Sequence, residues 1–185
     1  MSEYKDIFGE DVNQEKPLSP QVKPVTYVGF IWDHSGSMSG SDELARTNFN
    51  EQLATLKKDS DKIDYRVTII EFDNEVKEVV VNRSIDDIKS LEEYWLGGST
   101  ALYDAVAIGM SRIDSAMQKD KREDKAALVI VMTDGYENSS TDYDDTDVKA
   151  MIEEKSVVEM EATDDSVKNI QELLHQIAKF IDEKL

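Results

Sequence analysis

The feature that most limits the fold is an uninterrupted apolar run that stops at a loop of small, oxygen-bearing residues. The run, Val25–Trp32, is rich in β-branched and aromatic side chains and contains no charged residue. This pattern is typical of a strand that is buried on both faces of a parallel sheet. The run ends at Asp33-His34-Ser35-Gly36-Ser37. A strand that ends in this way predicts an open α/β sheet with a polar loop at its carboxyl edge, where such sheets bind ligands.

The next segments predict one helix and one hairpin. Residues 42–58 place apolar side chains at helical spacing, and Ser41 is the expected N-cap. Tyr65–Phe72 and Val76–Val81 are β-branched runs separated by the turn-forming residues 73–75, which indicates an antiparallel hairpin. The sheet is therefore expected to be mixed, with one antiparallel edge strand.

The second half of the chain continues the alternation of strands and helices. The polar loop Gly97–Thr100 precedes an amphipathic helix, and the buried-type strand Ala126–Met132 runs into Thr133-Asp134-Gly135. The last segments are expected to form a helix, a short strand and an amphipathic helix, at Asp144–Glu154, Ser156–Met160 and Asp164–Lys184. Alternating strands and helices predict a mostly parallel sheet with helices on both faces.

The chain is expected to consist of a tail and one domain. Residues 1–24 are polar, lack periodicity and contain all three prolines. They predict a mobile tail, or a strap on the domain with Ile7 and Phe8 as anchors. Residues 25–185 have the length of one domain.

Charge and composition exclude several kinds of partner and chemistry. The formal net charge of −19 disfavours nucleic acid and anionic membranes as ligands, because like charges repel. The chain has no cysteine, which excludes disulfides and thiolate sites. The first residues lack the basic and apolar regions of a signal peptide, and no run is long enough to span a bilayer. We therefore expect a cytoplasmic location.

Three of these loops supply hard oxygen atoms that suit a divalent metal. The candidate ligands are Asp33, Ser35, Ser37, Thr100 and Asp134. Parallel strands would bring all three loops to the same sheet edge, and alternate side chains of Asp-x-Ser-x-Ser can converge on one side. Carboxylate and hydroxyl oxygens favour Mg²⁺, with Mn²⁺ or Ca²⁺ as alternatives. Because few of these ligands are charged, we expect a coordination position to remain for water or for an acidic side chain of a partner.

This pattern resembles the metal-ion-dependent adhesion site (MIDAS) of the von Willebrand factor A (VWA) domain, in which Asp-x-Ser-x-Ser is followed by a distant Thr and a distant Asp. The resemblance rests on residues 33–37, on Thr100 at the start of a helix and on Asp134 after an apolar strand. It covers the chain from Val25 to the C-terminus. It implies a three-layer Rossmann-like fold, in which the two serines and, in one state, Thr100 touch the metal, while the two aspartates often act through water.

The resemblance also implies a function and raises a question about the sheet. Members of the family bind proteins rather than turn over substrates, commonly with a Glu or Asp of the ligand completing the metal shell. Intracellular members often join larger assemblies, including partners of AAA+ ATPases. The family usually has two further strands after the position of Asp134, whereas this chain has room for one. The sheet therefore either lacks an edge strand or contains one in a less regular pattern.

Several of these residues also have plainer interpretations. Asp and Ser before a helix often act as caps and turn formers, and it is the combination with Thr100 and Asp134 that favours a metal site. His34 occupies the alternate position in the motif, so we expect it to face away from the metal as a spectator or as a partner-facing residue. Trp32 and Trp95 are expected to lie in the core.

Two acidic features remain open. The stretch from Glu137 to Asp147 is either a solvated loop or a rim of the metal crevice. Asp104 either supports the site indirectly or is a surface carboxylate near a helix N-terminus.

The leading hypothesis is therefore a non-enzymatic, metal-dependent protein-binding domain. One alternative is a metal-dependent phosphoryl-transfer or hydrolytic enzyme. No Lys or Arg lies within residues 33–42 or 132–147 to act as a phosphate clamp, and no base is evident beside the serines. Another alternative is a structural-metal subunit of a larger assembly.

Overall fold

A computed structural model of the protein describes residues 22–92, 95–133 and 137–159. Two short 3₁₀ turns accompany the strands and helices, at Gly36–Met38 and Ile85–Asp87. The strands and helices follow in the order β1 (Val25–Asp33), α1 (Asp42–Lys57), β2 (Asp64–Phe72), β3 (Val76–Ser84), α2 (Leu102–Lys119), β4 (Lys125–Met132) and α3 (Asp145–Glu159).

The described strands form one mixed sheet in the order β3-β2-β1-β4. β1 pairs in parallel with β2 and with β4, while β3 pairs antiparallel with β2 at the edge. The predicted mixed sheet is confirmed. Because Trp32 is in register with Met132, the next residues lie at the same sheet edge: Asp33 is the last residue of β1, and Thr133 follows β4.

The two faces of the sheet are covered by different helices, which gives the predicted three layers. β1 alternates between the faces because its side chains have a period of two. On one face, α1 closes a cluster that includes Phe30, Trp32, Phe49, Leu53 and Val67. On the other face, α2 and α3 close a cluster that includes Ile31, Ile70, Val106, Met110, Val148 and Ile152.

Two glycines allow α2 to lie close to β1. A Cβ atom on Gly29 would lie 2.7 Å from Cδ1 of Ile113, and one on Gly109 would lie 2.9 Å from Cδ1 of Ile31. Each glycine therefore receives the isoleucine of the opposite element. This packing sets the position of α2, whose N-terminus follows Thr100.

The prediction of a strand at Ser156–Met160 is wrong for its described part, because residues 156–159 belong to α3. Val157 and Val158 favour a strand locally, but they follow a helix that is already anchored on the core by Val148 and Ile152. Extending an established helix needs no new nucleation. Within the described residues, β4 is therefore the last strand of the sheet.

Other predicted segments fall outside the described residues. They include most of the N-terminal tail, with Ile7 and Phe8, and the amphipathic helix at Asp164–Lys184. The division into residues 1–24 and 25–185 stays a prediction, and β1 begins at Val25.

A polar network ties the strands together near the starts of β1 and β2. The Tyr27 hydroxyl donates to Asp120 Oδ2 at 2.7 Å. Arg122 binds the same carboxylate and also reaches Asp64 Oδ2, at 2.8 Å. Burial, together with the hydrogen bond to Asp120, raises the pKa of Tyr27 to about 12. The hydrogen bonds from Arg122 and Tyr27 hold the pKa of Asp120 below its usual range.

Replacing Tyr27 by phenylalanine is expected to remove part of the loss of stability in alkali. Folding raises the pKa of Tyr27 from about 10 to about 12. The stability that its neutral hydroxyl contributes is therefore complete below pH 10 and is lost as the pH rises through about 12. The difference in unfolding free energy between wild type and Tyr27→Phe should fall by about 2 kcal/mol across this interval. Urea unfolding of both proteins at several pH values measures it. A difference that stays constant with pH would contradict the assignment.

Candidate metal centre

Asp33 is wholly buried and its carboxylate is held from two loops. Oδ1 accepts the backbone N–H of Ser35 at 2.7 Å, and Oδ2 accepts the hydroxyl of Thr133, also at 2.7 Å. The first hydrogen bond shapes the turn that follows β1. The second joins this turn to the loop that leaves β4.

The two serines of the motif are brought together by the same turn. Ser35 is extended, and the 3₁₀ turn at residues 36–38 follows it. The hydroxyl oxygens of Ser35 and Ser37 lie 2.9 Å apart. Neighbouring ligands of an octahedral Mg²⁺ site with bonds near 2.0–2.1 Å are separated by about 2.9 Å. The spacing of the two hydroxyls therefore fits a small, hard cation, which would replace the hydrogen bond between them.

The loop before α2 is bonded directly to the first loop. The N–H of Gly97 donates to the carbonyl of His34 at 2.9 Å, and the N–H of Gly36 donates to the carbonyl of Gly98 at 3.3 Å. Gly98 has φ +72°, and a Cβ atom there would collide with the side-chain oxygen of Asn74. A residue with a side chain would thus be strained at this position and would press on the β2–β3 turn.

Thr100 is buried between the turn that joins β2 to β3 (residues 73–75) and the acidic segment (residues 137–147). The N–H of the next residue, Ala101, donates to the carbonyl of Asp73 at 2.7 Å. The N–H of Thr100 donates to Asn138 Oδ1 at 2.9 Å, and its carbonyl accepts the N–H groups of Asn138 and Ser139. The threonine is therefore positioned by its backbone, from both sides.

The acidic segment serves largely as a source of hydrogen-bond acceptors for the N-terminus of α2. The first N–H groups of a helix lack acceptors within the helix, and Ala101 at the N-cap supplies no side-chain acceptor. Glu137 Oε2 accepts the N–H of Tyr103 at 3.1 Å, and Ser140 Oγ accepts that of Asp104 at 3.2 Å. A carboxylate in this position is also favoured by the helix dipole.

Asp104 holds the same segment from the helix side. Its carboxylate accepts three consecutive backbone N–H groups, those of Thr141, Asp142 and Tyr143, at 2.9 to 3.1 Å. The side chain is buried, so the surface interpretation is wrong. Asp104 thus fixes the segment whose Asn138 holds the backbone of Thr100.

Four of the five predicted ligands lie at one sheet edge, where Asp33 ends β1 and the loops that carry Ser35, Ser37 and Thr100 are joined. Asp134 lies outside the described residues, although its neighbour Thr133 bonds to Asp33. In the described ranges no three His, Cys, Asp or Glu side chains form a group that could hold a metal. The predicted set has only two carboxylates, so its fit depends mainly on hydroxyl groups.

Sequence reasoning missed the supporting roles of Thr133, Glu137 and Asn138. The only signal was their proximity in the chain to Asp134. Their hydrogen bonds join residues that are 34, 38 and 100 positions apart in the chain, and no local pattern reports such pairings.

The structure separates the two tryptophans that were expected in the core. Trp32 is fully buried, whereas Trp95 is 52% exposed, so the second prediction is wrong. Trp95 lies in an irregular segment, where residue type alone was a poor guide to burial. His34 is buried, which excludes the partner-facing interpretation. Its Nδ1 atom lies 2.8 Å from the carbonyl oxygen of Trp95.

Comparison with protein families matches residues 28–180 to the von Willebrand factor type A domain. The chain belongs to this family. The match covers most of β1, the other strands, the helices and all three loops of the candidate site, in agreement with the motif and the mixed sheet. Among curated proteins, none matches the sequence significantly.

Several solved structures are similar to part of this chain. The pilus adhesin SpaC of Lactobacillus rhamnosus GG is 20% identical with a TM-score of 0.49, covering 63% of this chain and 15% of its own. The D319A mutant of the PilB minor pilin of Streptococcus sanguinis is 19% identical with a TM-score of 0.49, covering 63% and 32%. Proximal thread matrix protein 1 of the mussel byssus, with a zinc-occupied MIDAS motif, is 17% identical with a TM-score of 0.46, covering 86% and 48%. This VWA domain thus spans less than half the length of each.

A membrane-crossing helix is not found in the part of the VWA domain that the structure describes, since no helix there is both long and apolar enough.

Proposed function

We propose that this VWA domain binds a divalent cation and uses it to bind an acidic side chain of another protein. The proposed ligands are Asp33, Ser35, Ser37, Thr100 and Asp134, and the proposed ion is Mg²⁺, with Mn²⁺ or Ca²⁺ as alternatives. The observation that carries the proposal is the buried Asp33 carboxylate, held by Ser35 and Thr133 beside two serine hydroxyls 2.9 Å apart. Bound there, the ion supplies positive charge and an exchangeable coordination position.

Hydrogen bonds from neighbouring residues orient two of the proposed ligands. Thr133 and the Ser35 N–H orient Asp33. Asn138 orients Thr100 through the backbone. Oriented hydroxyl and carboxylate groups lower the cost of assembling the site, because less conformational freedom is lost when the ion binds.

The proposed partner is a protein. With a net charge of −19, the domain repels acidic molecules over a screening length of about 8 Å at physiological salt. A metal is therefore what allows an acidic side chain to approach this edge. An AAA+ ATPase or another member of a multi-protein assembly, in the cytoplasm, is the partner class that the family resemblance suggests.

The proposal does not include catalysis. The hydroxyls of Ser35 and Ser37 bond to each other, and the His34 ring is engaged by the Trp95 carbonyl. A serine nucleophile needs a base within hydrogen-bond reach, and the nearest histidine in the motif is engaged elsewhere. Turnover of a phosphoester that is lost in Asp134→Ala would instead favour the hydrolytic alternative.

Replacing Thr100 by valine is expected to weaken Mn²⁺ binding roughly tenfold, because valine keeps the shape of the buried side chain and removes only its hydroxyl. Thr100→Ser should bind Mn²⁺ as the wild type does. Calorimetric titration of the three proteins measures the affinities. Arrays of peptides containing Asp or Glu, probed in Mg²⁺ and in chelator, then test the acidic ligand.

Three outcomes of these experiments separate the hypotheses. Equal Mn²⁺ affinity in Thr100→Val and wild type would remove Thr100 from the ligand set. Absence of Mn²⁺ and Mg²⁺ binding by the wild type would overturn the proposed function. Binding that raises the melting temperature strongly by mass action but retains no acidic peptide would favour a structural ion.

A further inference from the structure

An exposed tryptophan ends a column of aromatic rings that runs from the core to the surface beside the metal loops. Phe49 of α1 packs against Phe30 and Trp32 of β1, with ring centroids 4.8 and 5.0 Å away. The ring centroid of His34 lies 5.6 Å from that of Trp32, and the ring centroid of Trp95 lies 4.8 Å from that of His34. The first four rings are buried, whereas Trp95 is 52% exposed.

The period of the strand explains why the column reaches this surface. Residues 30, 32 and 34 are separated by two positions, so they lie on the same side of the chain as it leaves β1. That side faces α1 and the first apolar cluster. Asp33 and Ser35, at the intervening positions, bond to each other and belong to the candidate metal site.

Trp95 is also tied to the metal loop through its backbone. Its carbonyl oxygen lies 2.8 Å from His34 Nδ1, and the N–H of Gly97 donates to the His34 carbonyl at 2.9 Å. The indole is thus held against a buried ring and next to the loop that carries the proposed ligands. A side chain fixed in this way has little conformational entropy left to lose when a partner covers it.

We propose that Trp95 is the apolar anchor of the partner contact. The partner segment would then carry an aromatic or aliphatic side chain within a few residues of the Asp or Glu that approaches the metal. This inference rests on the proposed function, because it assumes that an acidic side chain of the partner binds the metal. A partner bound there would lie close to Trp95, which is bonded to the loop of residues 33–37. Large, rigid aromatic side chains dominate the energetics of protein interfaces, and Trp95 is the exposed aromatic group at this edge of the described structure.

Charge gives a second reason for an apolar anchor. A domain with a net charge of −19 gains little from long-range attraction to an acidic segment. Burial of apolar surface does not depend on charge and is not weakened by salt. Contact with Trp95 would therefore supply affinity that electrostatics outside the metal site cannot.

The test uses the whole chain and an array of nine-residue peptides with a central Asp or Glu and varied neighbours, probed in Mg²⁺ and in chelator. Wild type is compared with Trp95→Ala, Trp95→Phe and Val81→Ala. Val81 is a matched control, because it is also exposed but lies on β3. Melting temperature and Mn²⁺ affinity are measured for each variant, and we expect both to change little, since the Trp95 side chain is not a proposed ligand.

We expect the wild type to favour peptides with an apolar neighbour of the acidic residue, only in Mg²⁺. Trp95→Ala should weaken the best peptides about tenfold or more, Trp95→Phe should restore most of the affinity, and Val81→Ala should match the wild type. Mg²⁺-dependent binding of acidic peptides without an apolar preference, or with equal affinity in Trp95→Ala, would overturn the inference and leave the proposed function intact. Binding that is the same in Mg²⁺ and in chelator would contradict both.

Discussion

Replacing Asp33 by alanine is expected to abolish measurable binding of Mn²⁺ and Mg²⁺. Asp33 is one of the two negative charges in the proposed ligand set, and it is fully buried at the end of the central strand. Its two oxygens also hold the Ser35 N–H and the Thr133 hydroxyl. The substitution thus removes a charge and releases both neighbouring loops. We expect the affinity to fall roughly 100-fold or more, because the number of charged ligands is a main determinant of affinity at such sites.

The asparagine variant separates metal binding from folding. Asp33→Asn keeps an acceptor for the Ser35 N–H, and the Thr133 hydroxyl can rotate to accept from the new amide. We therefore expect its unfolding free energy to drop by only about 1 kcal/mol, with a loss of Mn²⁺ affinity close to that of alanine. Calorimetry gives the affinities, and thermal unfolding with and without Mn²⁺ gives an independent measure by mass action. Wild-type affinity in a folded Asp33→Asn protein would remove this residue from the ligand set.

Replacing Asp104 by alanine should cause a large loss of stability. The side chain is buried and accepts three backbone N–H groups. Its removal leaves those three partly buried donors without their acceptor, and a fully buried unsatisfied donor costs about 1–3 kcal/mol. Because part of the loop can rearrange toward water, we expect the unfolding free energy to fall by about 3–5 kcal/mol. Urea unfolding measures the change.

The same substitution is expected to weaken the metal site without touching a proposed ligand. The segment that Asp104 holds begins at Glu137 and Asn138, which bond to Tyr103 and Thr100. Loosening it should lower Mn²⁺ affinity by about tenfold, the size of effect seen when a supporting residue of a metal ligand is removed. Asp142→Ala is the control, because it removes an exposed carboxylate from the same segment, and its stability should stay within about 0.5 kcal/mol of wild type. A stable Asp104→Ala protein would show that the three hydrogen bonds contribute little.

The regular elements could be predicted from the sequence because each is specified by a local pattern. The apolar run Val25–Trp32, the helix that follows and the hairpin after it form close to the predicted boundaries. The parallel order of β1 and β4 then explains why the residues after both strands meet at one edge. Local patterning and a general rule of parallel sheets were sufficient to predict that Asp33 and the loop after β4 lie together, whereas the ligand set itself stays a prediction.

Local preference failed where a long-range contact outweighed it. The β-branched pair Val157 and Val158 predicted a strand, but α3 was already anchored on the core upstream of them. Trp95 was expected to lie in the core. It is instead held half-exposed by a histidine that sits 61 positions earlier in the chain.

What the sequence alone determined is the order of strands and helices from β1 to α3, the hard-oxygen character of the candidate site and the absence of thiolate chemistry, because these follow from residue type and local periodicity. Tertiary structure decided how the site is supported. The partners of Asp33, Thr100 and Asp104 are polar groups that folding removes from water, and each must find an acceptor or donor wherever the fold places one. Those pairings depend on how distant loops are brought together, and so only the folded domain reveals that an acidic segment with the appearance of a solvated loop holds the threonine of the candidate metal site.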